Sequence, residues 1–243
     1  MRRILASAAA MMLGLGAAPL PAAEAQMPVS IELVLAVDTS LSVDETEFAL
    51  QMAGMAAAFR TPEIIALIEQ HEGVAVTLFQ WSGTIDPDYA IPWHLLTGPA
   101  TAHAFADKIE RLRREPSHGF TAMGQAIRTA IEALERNAVA GRERKIDISA
   151  DGRSNIGPLP SDSWPRAEAL GITINGLPIL IDTYNLDAYF RNKVVAGPGA
   201  FIEIADDYRD FANAFLRKLR RELAPAVSRA ISRPPRTRLA TRE

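Results

Sequence analysis

The chain has 243 residues, 48% of them hydrophobic, which suits one domain with a sizeable core. Lys and Arg number 26 against 29 Asp and Glu, a formal net charge of -3, so charge gives no reason to propose nucleic acid or an anionic membrane as partner. With no cysteine, a disulfide framework, a thiolate zinc site and a thiol nucleophile are excluded.

Arg2 and Arg3 precede an apolar run from Ile4 to Leu20, and Ala23-Glu24-Ala25 is a small-x-small cleavage site. This is the pattern of an export signal over residues 1–25, with cleavage after Ala25 and a periplasmic or extracellular destination. A retained anchor is the alternative, but Gly14, Gly16, Pro19 and Pro21 interrupt the run before the roughly 20 apolar residues a span needs. No other segment reads as a membrane span.

Ile31 to Val37 is a continuous apolar run rich in β-branched residues, which predicts a strand buried on both faces of a parallel sheet. Helical spacing follows at Phe48, Met52, Met55 and Phe59, ending at Thr61-Pro62, with a second short helix through IIALIEQ. VAVTLFQWS predicts the next strand. Pro87, Pro92 and Pro99 mark a loop-rich crossing before a helix around His103 to Arg113. A helix then starts near Thr121, KIDISADG is a strand and turn, and Ile172 to Ile181 is a further strand. DAYFRNKVV predicts a short helix, FIEIA a last short strand, and DDYRDFANAFLRKLRREL a helix with Phe211, Phe215 and Leu219 inward. The domain is expected over residues 26–224, and the Pro- and Arg-rich tail over 225–243 to be disordered. Alternating strands and helices predict an α/β fold, a doubly wound, mostly parallel sheet flanked by helices.

Ligands of such a sheet bind beyond the carboxyl ends of its strands. The loop after the first strand is Asp38-Thr39-Ser40-Leu41-Ser42. It has no glycine to let backbone amides cradle a phosphate, and it opens on a carboxylate. That chemistry suits a cation. A hard cation such as Mg²⁺ takes about six oxygens, so other loops must contribute. Asp151 ends the strand KIDISA before Gly152, and Thr121 opens a helix after Gly119. Each has an ordinary alternative. Ser42-Val43-Asp44-Glu45 is also a capping box, Thr121 a possible N-cap, and Asp151-Gly152 a possible turn.

These loops together resemble the von Willebrand factor type A domain and its metal-ion-dependent adhesion site. Asp38, Ser40 and Ser42 match its DxSxS loop, Thr121 in FTAMG its threonine, with Gly124 at a frequent glycine, and Asp151 its last aspartate. The blocks ALQMAGMAAAFRTPE, WSG, DISADGRSN, INGLPI and AGPGAFI are similar to a bacterial secreted branch of that fold, a domain of unknown function, over nearly the whole mature chain. The resemblance implies a Rossmann-like fold and a metal site of Asp38, Ser40, Ser42, Thr121 and Asp151. It implies Mg²⁺ there, with Mn²⁺ or Ca²⁺ as alternatives, and one or both aspartates acting through water. It implies a protein partner that offers an Asp or Glu carboxylate.

Within KIDISA, Asp147 and Ser149 fall on the face of Asp151 by strand alternation. An acid there needs a partner, so Asp147 reads as a structural acid bonded to a loop amide or a base. His71, His94, His103 and His118 lack zinc-ligand spacing, and His118 sits near Thr121 as a rim residue. Trp81, Trp93 and Trp164 read as core or loop anchors, and Met52, Met55 and Met123 as core.

The expectation is an exported, metal-dependent protein-binding module of the cell envelope, not an enzyme. Two other classes compete. A metal-dependent hydrolase is one, although an aspartyl-nucleophile phosphatase usually carries a second Asp where Ser40 stands, and the G-x-S-x-G elbow is absent. A scaffold with a vestigial metal site is the other.

Overall fold

A computed structural model describes residues 26–116, 119–181 and 183–225. The expected export signal, the tail beyond Pro225 and the rim position of His118 lie outside them. Five strands form one sheet: β1 (Met27–Asp38), β2 (Val74–Trp81), β3 (Ala90–Leu96), β4 (Val139–Ala150) and β5 (Ile172–Pro178). Their order is β3-β2-β1-β4-β5, parallel except for β3, which runs antiparallel to β2. Seven α-helices lie among the described residues: α1 (Glu45–Arg60), α2 (Pro62–Glu69), α3 (Pro99–Arg111), α4 (Met123–Arg136), α5 (Trp164–Ala169), α6 (Leu186–Tyr189) and α7 (Phe211–Leu223). No helix of the described residues is long and apolar enough to cross a membrane.

β1 is buried from Val29 onward because both of its faces are covered. Ile31, Leu33, Leu35 and Val37 point into one core with α1, α2, α3 and α7, while Val34 and Ala36 point into a second core with α4 and α5. Each of these Ile, Leu and Val side chains contributes about 1.5–3 kcal/mol by leaving water. The sheet is therefore doubly wound, as the alternation of elements predicts. The predicted cores of α1 and α7 are also in place: Phe48, Met52, Met55 and Phe59 are buried, as are Phe211, Phe215 and Leu219.

Two predicted elements differ. The crossing marked by Pro87, Pro92 and Pro99 contains β3, an edge strand in which Pro92 is exposed and its missing N–H disrupts no central ladder. FIEIA is not a sheet strand: only Ile202 and Ala205 make isolated bridges, to Gly176 and Ile179. The short helix in DAYFRNKVV forms, with α6 running into a π-helical turn over Phe190–Val194.

The chain leaves β1 for β2 and β3 on one side, then returns to β4 on the other. The carboxyl ends of β1 and β4 thus flank the switch point of the sheet. Val37 pairs with Ser149, so Asp38 and Asp151 emerge at adjacent strand ends. Strand alternation sends Asp147 to the α7 face. There Lys218 Nζ lies 2.7 Å from Asp147 Oδ1 and 2.6 Å from Glu222 Oε1, all three side chains being buried. The basic partner expected for Asp147 is Lys218.

Candidate metal site

The β1–α1 loop is held by its own backbone and by one arginine. Ser40 N–H donates to Asp38 Oδ1 at 2.7 Å, and Val43 N–H to the Ser40 carbonyl at 3.0 Å. Arg114 is mostly buried and spreads one guanidinium nitrogen over three carbonyls of the loop: Val43 at 2.6 Å, Thr39 at 3.3 Å and Ser40 at 3.5 Å. Thr39 hydroxyl and N–H both donate to the Trp81 carbonyl, which ties the loop to the end of β2.

The alternative readings of Ser42 and Thr121 are decided by their bonds. The cap of α1 is Asp44, reciprocated by Glu47, and Ser42 takes no part in it. Ser42 Oγ instead donates to Asp151 Oδ1 at 2.7 Å and lies 3.3 Å from Ser40 Oγ. The N-cap position of α4 is Ala122, with no side-chain cap, so Thr121 is not the cap either. Thr121 is gripped through its backbone: its N–H donates to Asn155 Oδ1, and its carbonyl accepts from Asn155 N–H and Ser154 Oγ. The next residue, Ala122, donates to the Ser82 carbonyl beyond β2. Gly124 allows the 158–159 backbone to cross α4 here, since a Cβ would meet the Pro158 carbonyl oxygen at 2.0 Å.

A cavity of about 280 Å³ opens above these groups, lined by Ser42, Thr121, Asp151, Glu47 and Asn155 among others. Asp38 and Ser40 are buried beside it, each 1% exposed. The structure therefore brings together the β1–α1 loop, Thr121 and Asp151, which the sequence separates by up to 113 residues (151 − 38).

The two aspartates are bonded differently. Asp151 has both oxygens engaged, Oδ1 by Ser42 and Oδ2 by the Tyr208 hydroxyl at 3.1 Å. Asp38 Oδ2 is buried and has no hydrogen-bond partner among the described residues. Burial foremost, then the charge of Asp151, push the Asp38 carboxyl up to about 8, against smaller opposing effects from Ser40 and Arg114. Tyr208 is buried against both carboxylates, and its hydroxyl is pushed well above the ordinary range, chiefly by desolvation. It stays a proton donor to Asp151.

An orphaned carboxylate oxygen beside a second carboxylate, with hydroxyls between them, is a donor set that suits a hard cation. Among the described residues no three His, Cys, Asp or Glu side chains form a metal cluster, and the other oxygens here are hydroxyls. Arg114, Asn155 and Tyr208 were missed in the sequence. Asn155 stood in the quoted block DISADGRSN, Arg114 one residue past the helix expected around His103 to Arg113, and Tyr208 in a stretch assigned to the last helix.

The family described as "Protein of unknown function (DUF1194)" matches residues 28–227. The chain belongs to that family. No curated protein matches it. Its fold is that of von Willebrand factor A domains, as three solved structures show. One is proximal thread matrix protein 1 of the mussel byssus, at TM-score 0.60 and 13% identity, over 81% of this chain and 49% of that one. A second structure of that protein, with a zinc-occupied MIDAS motif, matches at TM-score 0.56 and 11% identity, over 82% and 47%. The von Willebrand factor type A protein of Catenulispora acidiphila matches at 0.53 and 16%, over 80% and 42%. This family member spans less than half the length of each of these neighbours, and at such identities the likeness is one of fold.

Proposed function

We propose that the protein is an exported, divalent-metal-dependent protein-binding module rather than an enzyme. The observation that carries this reading is the buried Asp38 Oδ2, without a hydrogen-bond partner among the described residues, in a loop whose serine hydroxyls lead to the Asp151 carboxylate. Asp38, Ser40, Ser42, Thr121 and Asp151 would hold the ion, Mg²⁺ by preference for hard oxygens, with Mn²⁺ or Ca²⁺ as alternatives. A divalent cation bound there supplies an electrophile able to accept a carboxylate oxygen from a partner's Asp or Glu. The hydroxyls bring donors without charge, and an aspartate acting through water would leave the ion open to a further carboxylate. Arg114 fixes the loop, and Asn155 fixes Thr121, so the donors are positioned before a partner arrives. The fold neighbours support a binding role. They include the pilus adhesin SpaC of Lactobacillus rhamnosus GG, at TM-score 0.51 and 16% identity, over 80% of this chain and 30% of that one.

Ser42 donates to the Asp151 carboxylate, whose other oxygen accepts from Tyr208, so both side chains are already engaged within the site. The export reading rests on the first 25 residues of the sequence.

Binding of an ion to the native state alone adds RT ln(1 + [L]/Kd) of stability. Mg²⁺ should raise the melting temperature of the wild type, and Asp38→Ala or Asp151→Ala should abolish the rise while leaving the fold intact. Capture of a protein from the cell envelope should require Mg²⁺ and fail in chelator. A panel of ester and phosphate substrates with Mg²⁺ tests the hydrolase alternative. Both variants keeping the wild-type response to Mg²⁺ would refute the site, and partner capture unchanged by chelator would favour a scaffold with a vestigial site.

A further inference from the structure

Of the nine large apolar side chains that stay exposed among the described residues, six cluster in the loops around the candidate metal site: Leu41, Phe120, Ile156, Leu159, Ile181 and Tyr184. Leu41 lies between Ser40 and Ser42 and is 74% exposed; Phe120 precedes Thr121 and is half exposed. Ile156 follows Asn155, which lines the cavity. The Leu159 backbone packs on α4 at Gly124. Ile181 lines the cavity directly. Tyr184 is 83% exposed, and its carbonyl accepts from Arg153, another cavity residue. Single exposed apolar residues are ordinary, but a group of them around one polar centre marks an interaction surface.

These residues come from separate loops, after β1, before α4, after β4 and after β5, so they stand on more than one side of the cavity. The cavity, at about 280 Å³, falls below the roughly 300–1,000 Å³ of small-molecule sites. It has room for a side chain, and the apolar groups lie outside it, where the flanks of that side chain would fall. Arg153 lies on the cavity wall and, together with a bound divalent cation, outweighs the Glu47 and Asp151 carboxylates that line it, so the wall favours an incoming carboxylate.

We propose that the site recognises a protein segment in which one acidic residue is flanked on both sides by large apolar residues. The carboxylate would enter the cavity and the flanking side chains would pack on the apolar collar. This rests on the metal-dependent reading above and adds the partner's sequence character to it. The collar provides selectivity, because a polar or basic flank would leave these six side chains in water and desolvate its own polar groups against them.

Selection of random 12-residue displayed peptides on the purified protein in Mg²⁺, with elution by chelator, tests the proposal. The recovered peptides should carry one Asp or Glu with Leu, Ile, Phe, Trp or Met within two positions on each side. The double variant Leu159→Ser/Tyr184→Ser, which changes no metal donor, should bind such a peptide at least about tenfold more weakly. It should keep the wild-type thermal response to Mg²⁺. Acidic peptides with polar flanks, held equally by the double variant, would overturn the collar and leave the metal reading standing. Apolar peptides without an acid, held equally in chelator, would overturn both. Attachment to phosphatidylglycerol vesicles or self-association, either one lost in the double variant, would replace the proposal with a lipid surface or a second copy.

Discussion

Replacing Lys218 by Met removes the cation from between two buried carboxylates. Asp147 lies 2.7 Å and Glu222 2.6 Å from the Lys218 amine, with all three side chains at most 3% exposed. The nearby Lys145 cannot take over, since it pairs with Glu143 at 2.7 Å and donates to the Glu222 backbone carbonyl. Asn175 donates to Glu222 but brings no charge. Breaking a buried pair costs about 3–5 kcal/mol. For a domain of this size that is a fall of about 6–20 °C in melting temperature. The deficit depends on pH, because the stranded acids can escape by taking up protons. In the wild type the Asp147 carboxyl is already pushed up to about 7 by burial, with the Glu222 charge adding and Lys218 opposing. A carboxyl whose folded pKa is raised contributes stability that is fully present below about pH 4 and is lost as pH rises through 7. Without Lys218 the loss steepens, so the deficit of Lys218→Met should be largest at pH 8 and shrink at pH 5. Asp147→Asn leaves Lys218 paired one-to-one with Glu222 and should change stability at pH 8 by no more than about 1 kcal/mol. Urea unfolding followed by tryptophan fluorescence at both pH values reads all three proteins. A Lys218→Met midpoint equal to wild type at pH 8, or a deficit equal at pH 5 and pH 8, would refute the reasoning.

Gly124→Ala gains about 1 kcal/mol of helix propensity. It also drives a Cβ to 2.0 Å from the Pro158 carbonyl oxygen, so the net effect should be a loss of roughly 1–3 kcal/mol; a stabilised variant would show that the 158–159 backbone does not cross α4 there. Arg114→Met should cost about 1.5–3 kcal/mol through its lost loop carbonyl bonds and weaken the Mg²⁺ response, which calorimetry would register as a reduced affinity. An unchanged Mg²⁺ affinity would mean that the loop holds its shape without the guanidinium. Material recovered from the producing cell should begin at Gln26 by mass spectrometry; an intact N-terminus would sink the export reading.

Much of the sheet was legible because its central strands carry their own signal. β1 is a run of β-branched and apolar residues, and only a strand covered on both faces keeps such a run dry. β3 was not legible, because prolines that punctuate loops are also tolerated on an edge strand. FIEIA fits a strand by composition, but five residues can make two isolated bridges as readily as a ladder. That Asp38, Ser40, Ser42 and Asp151 stand at the carboxyl ends of β1 and β4 was readable from loop composition and strand ends. The groups that orient them were not. Tyr208 reaches Asp151 across 57 residues of chain and Arg114 reaches the first loop across more than 70, and neither residue type, in its local run, announces such a contact.

The division of labour between the two aspartates follows from those unforeseen contacts. Asp151 sits against Ser42 on one oxygen and Tyr208 on the other, so both oxygens are engaged within the protein before any ion or partner is considered. Its bond to Tyr208 also fixes it to the segment leading into α7, which buries Lys218 and Glu222 further along. Asp38 is the opposite case: Oδ1 is satisfied by the Ser40 amide, and Oδ2 is buried with no hydrogen-bond partner among the described residues. Leaving such an acceptor unmatched costs about 1–3 kcal/mol, more for a charged group. That cost falls on the residue which opens the DxSxS loop, while Arg114 binds the loop's carbonyls and keeps it from relaxing toward another donor. A rigid loop around a buried carboxyl with one unmatched oxygen is poor design for stability alone and suits a cation, whose charge would favour the ionised form. Asp38 is thus the residue on which metal affinity should depend most directly, with Asp151 acting through its charge and through the hydroxyl of Ser42.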